Sequence, residues 1–457
     1  MQNYYYQNKE TIKFTLSLIL ISLSANLMFV TDRAILGLYS IDSMNAVGLG
    51  GNFLAMISFL VTCIAQTATV FVGQYNGTGE YKKTAWASWQ MVYLGIFSFA
   101  IFIPLAFGCR YLDLFPEYCA SEGIAYTEIV FFFEGFYVIS TALSTFFIGR
   151  EKSTIVIIVF ILGDIVNAIL DYILVLGIPG IIEPQGVRGA ALATIGVCAV
   201  FVLVFFYAFL SKKNREKFGT ADFKFRKKLF WDCIKVGLPI SSGKFLNLLG
   251  WFLVMTFFTK ASRDLATLES FVMSMWMLFI FFADGMSRAI SALAANLIGQ
   301  KNLEAIKRLF WHFIEANAVI CALYSIPLVF WQDGTIHVLM QCGEDISHLI
   351  PDIKFLLVSL WLILVFDSFN YSLAGLLAAG GDTRFAMILT TCTLYFMVVI
   401  PVGVMYYTET LKSIRPAYIL IPLTGVVDAV ALYFCRYRKL TWYNQLVDTS
   451  DENVSLF

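Results

Sequence analysis

Acidic side chains lie inside segments of this chain that are otherwise apolar. Asp32 falls in the first such segment, and Asp164, Asn167 and Asp171 fall together in the fifth. A carboxylate at membrane depth costs several kcal/mol unless it is paired, protonated or hydrated, so by default it marks an ion or substrate path. These residues indicate a transporter and predict where its driving ion acts.

The spacing within the fifth segment places its polar residues on one helix face. At 100° per residue, Asp164, Asn167 and Asp171 lie within about 60° of one another. Two carboxylates and an amide on one face can hold a proton or surround a hard cation such as Na+ with oxygen atoms. The alternative is a static hydrogen-bond cluster between helices, which polar groups in membranes also form.

Two further groups of polar residues lie in later apolar segments. Asp284 and Arg288 are spaced i, i+4, which predicts an ion pair with a mainly structural role. Asp367 and Asn370 share a helix face, and we expect them to contribute to ion coupling or substrate contact. The sequence has no HExxH motif, aspartate-rich pair or histidine cluster, so it does not indicate a membrane-embedded enzyme.

The composition excludes a soluble globular domain. The 457 residues are 59% hydrophobic and 14% charged, with a mean hydropathy of +0.75, whereas about a quarter of a globular protein is charged. The net charge of zero gives no indication of a nucleic-acid partner. The nine cysteines form no CxxC pair and the three histidines are isolated, so we expect no cofactor, and no metal beyond Na+ at the acidic site.

Twelve segments are long enough to cross the hydrocarbon core, which takes about 20 mainly apolar residues. They are 14–38, 44–71, 87–108, 123–147, 155–177, 187–210, 233–258, 265–295, 309–331, 352–378, 385–407 and 416–436. The one long connection is a basic linker between the sixth and seventh segments. We therefore predict an N-lobe (1–210), a cytoplasmic inter-lobe linker (211–231), a C-lobe (232–440) and a polar cytoplasmic tail (441–457).

The distribution of basic residues predicts the orientation in the membrane. With the N-terminus inside, the inner segments hold 21 Lys and Arg residues and the outer loops hold seven. Because short cytoplasmic loops carry an excess of Lys and Arg, both termini should be cytoplasmic. We expect a multi-pass protein of the plasma (inner) membrane that functions as a monomer in the lipid bilayer.

The two halves of the chain resemble each other weakly. Three motifs recur in order at offsets of 226 to 231 residues: Gly73-Gln74 as Gly299-Gln300, Gly149-Arg150 as Gly380-Gly381, and Gly186-Val-Arg188 as Ser413-Ile-Arg415. Six spans in each half leave both halves in the same orientation. The predicted fold class is therefore an all-α integral membrane protein, with 12 transmembrane helices in two six-helix pseudo-symmetric lobes around a central cavity, an arrangement that permits alternating access.

Six further motifs occur in order along the predicted spans. They are Val30-Thr-Asp32 with Gly37, the run from Val72 to Gly79, Asn167-Ala-Ile-Leu-Asp171, the run from Gly186 to Thr194, Gly237-Leu-Pro239, and Asp367 followed by Gly381-Asp-Thr-Arg384. In this order and spacing they make the chain similar to the multidrug and toxic compound extrusion (MATE) family over nearly its full length. The resemblance implies a secondary antiporter that exports a bulky, often cationic, drug-like or natural-product compound in exchange for H+ or Na+.

The resemblance also implies where the coupling site lies. The family's N-lobe site corresponds here to Asp32, Asn167, Asp171 and Thr194. Asp164 has no counterpart in that site and joins the prediction only through its shared helix face.

One NorM-like branch of the family has a C-lobe site, with glutamates in the seventh helix and an aspartate in the tenth. Asp367 matches that aspartate, but the first glutamate position holds Asn247, with Lys244 one turn earlier. We take Asp367, Asn247, Lys244 and Asn370 as a candidate C-lobe site that departs from the family pattern. Lys244 is expected either to neutralise Asp367 or to meet an anionic group of the substrate.

A second function and the choice of ion stay open. The alternative function is a lipid-linked oligosaccharide flippase of the same broader fold, which would meet phosphates with basic residues in its cavity; Lys244 and Arg288 are the candidates. An acidic N-lobe beside an altered C-lobe fits protons somewhat better, although Na+ can use the same oxygen atoms.

Overall fold

A computed structural model describes residues 9–111, 115, 119–339 and 347–447 of the chain. The first eight residues of the predicted N-lobe and the last ten residues of the predicted tail, 448–457, lie outside the described residues. The described part is predominantly helical, and its one β-bridge joins Ile178 and Ile182.

Twelve long helices follow one another along the described residues. They are α1 (Lys9–Tyr39), α2 (Ile41–Thr78), α3 (Tyr81–Tyr111), α4 (Ala120–Gly149), α5 (Ser153–Leu176), α6 (Val187–Phe209), α7 (Lys227–Ala261), α8 (Arg263–Gly299), α9 (Leu303–Phe330), α10 (Ile350–Ala379), α11 (Arg384–Tyr407) and α12 (Arg415–Tyr437). Two short helices, Lys212–Phe218 and Gln332–Leu339, lie between them.

The length and composition of these helices confirm the predicted fold class. Eleven of the described helices are long and apolar enough to cross a membrane, and α10, with 30 residues, also exceeds the required length. Lipid offers no hydrogen bonds to the backbone, so a continuous apolar run of this length must bond within itself as a helix. The apolar runs of the sequence therefore dictate the architecture directly.

The surface of α5 is divided between a polar buried face and an apolar exposed one. Gly163, Asn167 and Asp171 are buried. Apart from Thr154 in the first turn and Tyr172 near the end, the exposed side chains of the helix are aliphatic, namely Ile158, Ile161, Leu162, Ile165, Val166 and Ile169. Because lipid solvates apolar side chains, this division turns the polar face inward.

Two glycines allow α5 and α6 to pack closely. A Cβ added at Gly163 would lie 2.1 Å from Phe201 Cε1, and one added at Gly189 would lie 2.6 Å from the Leu174 carbonyl carbon. Small residues at such contacts let helix backbones approach each other in membranes. This close packing sets Thr194 of α6 beside the polar face of α5.

The described residues divide into two compact units. The N-terminal bundle comprises residues 9–241, 292–303 and 444–447, and the C-terminal bundle comprises the described residues of 242–291 and 304–443. The predicted linker, 211–231, holds the helix Lys212–Phe218 and lies within the N-terminal bundle. The lobe boundaries drawn from the sequence stay a prediction.

Candidate ion-coupling site

Three helices of the N-terminal bundle bring polar side chains together. Asp32 of α1 is 4% exposed, and Asn167 and Asp171 of α5 are 1% and 0% exposed. Thr194 Oγ1 of α6 lies 3.5 Å from Asp32 Oδ2, and the carboxyls of Asp32 and Asp171 are close enough to interact electrostatically. These four residues, which the sequence predicts as a site, are called the N-terminal polar cluster below.

Most polar atoms of this cluster are unsatisfied. Asp32 Oδ1, both side-chain polar atoms of Asn167 and both carboxyl oxygens of Asp171 are buried, and no other described group donates to them or accepts from them. The Asp32 and Asp171 carboxyls lie within hydrogen-bond reach of each other, so a proton on one carboxyl would bond the pair. Each buried unsatisfied group costs about 1–3 kcal/mol, and native structures hold few of them. A static hydrogen-bond cluster would instead have its donors and acceptors paired, so this geometry favours a site that takes up an ion.

The donor set of the cluster suits a proton or a monovalent cation. Asp32, Asp171 and Asn167 offer carboxylate and amide oxygens, which are the ligands of hard cations. Within the described residues, no group of three or more His, Cys, Asp or Glu side chains is arranged to hold a metal ion. The oxygen donors of the cluster are of the type that can take up H+ or coordinate a cation such as Na+.

Asp164, the fifth member of the predicted set, lies outside the N-terminal polar cluster and has a hydrogen-bond partner of its own. Ser24 of α1 donates a hydrogen bond to Asp164 Oδ2, and Asp164 itself is only partly buried. The contact ties α5 to α1 one to two turns from the cluster. Asp164 also lies within electrostatic range of Asp32, so its charge acts on the cluster from outside it.

One neighbour of the cluster went unpredicted. Tyr126 of α4 is buried within electrostatic range of both Asp32 and Asp171. Two turns later on α4, Glu134 accepts a hydrogen bond from Ser58 of α2. A single tyrosine in a chain rich in aromatic residues gives no spacing signal, so only the packing of α4 against the cluster identifies it.

The C-terminal bundle contains the predicted ion pair of α8. Arg288 Nε donates to Asp284 Oδ2 at 2.7 Å. Lys244 Nζ of α7 lies 3.8 Å from Asp284 Oδ1. Lys244 of α7 thus forms an ion pair with Asp284 of α8, a contact that the sequence analysis did not predict.

Asp367 accepts its hydrogen bond from a different helix. Trp276 Nε1 of α8 donates to Asp367 Oδ2 at 3.2 Å. One turn later on α10, Asn370 Nδ2 donates to the Gly425 carbonyl of α12 at 3.0 Å. Asn247, the remaining member of the candidate C-lobe set, is only partly buried on α7.

A second acidic residue of the C-terminal bundle was missed by the sequence analysis. Asp428 of α12 is buried, accepts a hydrogen bond from Thr393 Oγ1 of α11 at 2.9 Å, and lies within electrostatic range of Asp367. The rule that singled out Asp32 also applies to Asp428, which stands in the middle of the last apolar segment. Its one polar neighbour at helical spacing is the hydroxyl residue Thr424, so no second acid or amide drew attention to it.

Comparison with known families gives one match that recurs along the chain. The family model described as MatE matches residues 17–173 and again residues 239–405. The same model therefore fits each half once, which supports the internal repeat.

Several multidrug resistance proteins are similar to this chain in sequence. The probable multidrug resistance protein NorM of Thermotoga maritima is 25% identical over 309 residues, 65% of each chain. The uncharacterized transporter YisQ of Bacillus subtilis is 22% identical over 80% of each chain. The multidrug resistance protein NorM of Aliivibrio fischeri is 24% identical over 425 residues, 88% of this chain and 87% of that protein.

Solved structures share the fold. A MATE protein in its straight conformation gives a TM-score of 0.83 at 19% identity, over 95% of this chain and 96% of that one. A MOP superfamily transporter from Pyrococcus furiosus, described as having a binding pocket of reverse polarity, gives a TM-score of 0.82 at 18% identity. That match also covers 95% of this chain and 96% of the other one. Identities this low establish a common fold and nothing finer.

Proposed function

Because this chain belongs to the MatE family of transporters, we propose that it is a secondary antiporter that exports an organic compound in exchange for H+ or Na+. The N-terminal polar cluster carries this proposal, since its five buried and unsatisfied polar atoms need an ion or a proton to offset their burial. The multidrug relatives support a drug-like or natural-product substrate.

The coupling follows from competition between ion and substrate. Ion entry neutralises the Asp32 and Asp171 carboxylates, α1, α5 and α6 rearrange around them, and the N-terminal bundle loses affinity for the exported compound. Each binding free energy opposes the other, which is all that exchange requires. The proposed setting is the plasma membrane, with both termini cytoplasmic and the monomer as the working unit.

A lipid-linked oligosaccharide flippase is less well supported. Such a protein would use basic residues to hold phosphates, yet Lys244 and Arg288 of the spanning helices both contact Asp284. No position in the N-terminal polar cluster is basic.

The test is efflux of a fluorescent organic cation, such as ethidium, from proteoliposomes under an imposed proton gradient, an imposed sodium gradient, or none. We compare the wild type with Asp171→Asn, and with Asp42→Asn as a matched control at an exposed position of α2. Efflux that one gradient drives, and that only Asp171→Asn reduces at least tenfold, identifies the ion and supports the N-terminal site. Gradient-driven efflux that survives Asp171→Asn would refute coupling at this cluster, and the absence of gradient-driven efflux of every cation tried would favour the flippase.

A further inference from the structure

The linker between α6 and α7 is fixed along the surface of α3. Trp89 Nε1 of α3 donates to the Thr220 carbonyl at 2.9 Å. Gln90 is fully buried and holds the linker at two points, because its Nε2 donates to the Lys224 carbonyl at 3.1 Å and its Oε1 accepts from the Arg226 N–H at 2.8 Å. Since polar groups of a spanning helix bind its backbone, this part of the linker is a built surface rather than a loose tether.

This contact lies close to one boundary of the hydrocarbon core. α3 has 31 residues, Tyr81–Tyr111. It is about 46 Å long at 1.5 Å per residue, so about 16 Å of it extends beyond a core about 30 Å thick. Trp89 stands about 12 Å from the start of α3, and Tyr93 stands about 18 Å from it. The Tyr93 hydroxyl donates to the Phe223 carbonyl. Because Trp and Tyr are enriched at the membrane interface, this part of the linker lies at the level of the lipid headgroups.

The aromatic side chains at this level face outward from the bundle. Phe223 is 65% exposed, and Phe225 and Trp231 are each 49% exposed. The two phenylalanines also pack on α3, since ring centroids lie 6.2 Å apart for Trp89 and Phe223 and 5.5 Å apart for Tyr93 and Phe225. One side of each ring is therefore packed and the other is open. Interfacial segments use such rings to enter the boundary between headgroups and acyl chains.

Basic side chains stand among these rings. The linker holds eight Lys and Arg residues and two acids. Arg226 is occupied within the bundle, because it pairs with Asp222 and its guanidinium carbon lies 3.7 Å from the centroid of the Trp86 ring. Lys224 and Lys227 are exposed and form no ion pair within the described ranges of the chain. α7 begins at Lys227, so the positive end of its helix dipole adds to their charge.

We propose that Phe223, Lys224, Phe225, Lys227 and Trp231 form a binding surface for the headgroup of an anionic phospholipid, in the leaflet on the linker's side of the membrane. The two lysines bind the phosphate, and the three rings lie against the upper acyl chains. An acidic protein segment would match the charge but not the rings. The excess of basic residues in cytoplasmic loops accounts for the lysines alone. The inference requires only that the helices span a bilayer, whatever compound or ion the chain transports.

Fluorescence quenching by brominated lipids tests the surface in the full-length protein. The protein is reconstituted in phosphatidylcholine vesicles that contain phosphatidylglycerol, and the acyl chains of one lipid at a time are brominated. Trp231 stands one turn after Lys227 on the same face of α7, and its signal is the difference between each protein and the same protein carrying Trp231→Phe. We compare wild type, the double variant Lys224→Gln/Lys227→Gln, and Lys260→Gln/Lys412→Gln. This control changes the charge equally at exposed lysines, and Lys260 stands at the opposite end of α7.

The quenching ratio measures the preference for the anionic lipid beside Trp231. At equal mole fraction, brominated phosphatidylglycerol should quench Trp231 of the wild type more than brominated phosphatidylcholine does. Each lysine near an anionic surface contributes about fivefold to binding, so the double variant should lose at least fivefold of the preference and the control less than twofold. Equal quenching by both lipids in the wild type would overturn the inference. A preference that survives in the double variant, or a Trp231 that neither lipid quenches, would also overturn it.

Two measurements on the wild type cover the case in which the double variant does not fold. Raising the ionic strength from about 0.1 M to about 1 M shortens the screening length from about 10 Å to about 3 Å, and should remove most of the preference. An excess of soluble glycerol phosphate should leave it in place, because that compound lacks the acyl chains that the rings contact. A preference insensitive to salt would refute the role of the lysines. Loss of the preference to glycerol phosphate would identify a site for soluble phosphates and refute the lipid.

Neither result depends on gradient-driven efflux, so failure of the lipid surface and failure of the proposed antiport are separate outcomes.

Discussion

Replacing Asn167 by leucine should make the protein more stable while it impairs ion coupling. The side chain of Asn167 is 1% exposed, and neither its Nδ2 nor its Oδ1 has a hydrogen-bond partner in the described residues. Each unsatisfied group costs about 1–3 kcal/mol, and an apolar side chain of similar size removes both. Allowing for imperfect fit of the new side chain, which costs about 1 kcal/mol or more, we expect a net gain of about 2 kcal/mol.

Asn296 provides a matched control for this substitution. It is also 1% exposed and also belongs to the N-terminal bundle, but its amide is satisfied. Asn296 Nδ2 donates to the carbonyls of Gly149 at 2.8 Å and Ala292 at 2.9 Å, and its Oδ1 accepts from Asn76 Nδ2 at 2.6 Å. Asn296→Leu leaves these three partners without their hydrogen bonds and should destabilise the protein by about 1–3 kcal/mol. The two substitutions, identical in chemistry, should therefore shift stability in opposite directions.

The assay is thermal unfolding of the purified proteins, followed by tryptophan fluorescence at a single scan rate because unfolding of a large membrane protein is commonly irreversible. Asn167→Leu should raise the apparent Tm by several degrees and Asn296→Leu should lower it. Gradient-driven efflux by Asn167→Leu should fall although the protein is more stable, as expected where a functional site is kept at the expense of stability. A fall in Tm equal to that of Asn296→Leu would show that Asn167 is a packing residue and would remove the main support for the coupling site.

Three further substitutions test other parts of the structure through the apparent Tm. Gly77→Ala should destabilise the protein by about 1–3 kcal/mol or more, because the new Cβ would lie 2.0 Å from the Asn296 carbonyl oxygen. Tyr418→Phe should cost about 1–3 kcal/mol, since it removes the 2.8 Å hydrogen bond to the buried carboxyl of Glu269. Glu151 lies between α4 and α5, and burial raises its pKa to about 7. The folded state therefore binds the proton of this carboxyl more tightly than the unfolded chain does. As a result, the stability of the fold decreases as the pH rises from about 4.5 to about 7. Glu151→Gln should therefore raise the Tm at pH 8 and leave it unchanged near pH 4.

Each of these substitutions has a control at a position without the same contact. Gly108→Ala places a Cβ in open space, Tyr407→Phe changes a side chain that is 78% exposed, and Glu409→Gln alters an exposed glutamate that shares the positive φ of Glu151. All three controls should leave the Tm within about a degree of wild type. A control that shifts the Tm as much as its partner would contradict the contact invoked, and a Glu151→Gln effect independent of pH would exclude titration as its cause.

The structural features that depend on a single helix could be predicted from the sequence. The twelve spans follow from apolar length, and the shared face of Asn167 and Asp171 follows from helical spacing, so both were predictable. Contacts between helices could not be predicted from the sequence. Nothing in α12 alone indicates that Asp428 lies within electrostatic range of Asp367, or that Asn370 bonds to the Gly425 carbonyl, because both depend on how α10 and α12 pack.

The two halves of the chain carry their polar chemistry on different helices, although one family model matches both. At the 231-residue offset between the repeated glycine motifs, the positions of Asn167 and Asp171 hold Val398 and Val402, both fully buried in the hydrophobic core of the C-terminal bundle. Each unsatisfied buried polar atom costs about 1–3 kcal/mol. The C-terminal half therefore gains stability from apolar packing at the positions where the N-terminal half has its polar cluster. Two of its acids within the spans, Asp367 and Asp428, stand on α10 and α12, the counterparts of α4 and α6. The buried polar groups of the two halves are therefore not copies of each other, although the same family model matches both halves.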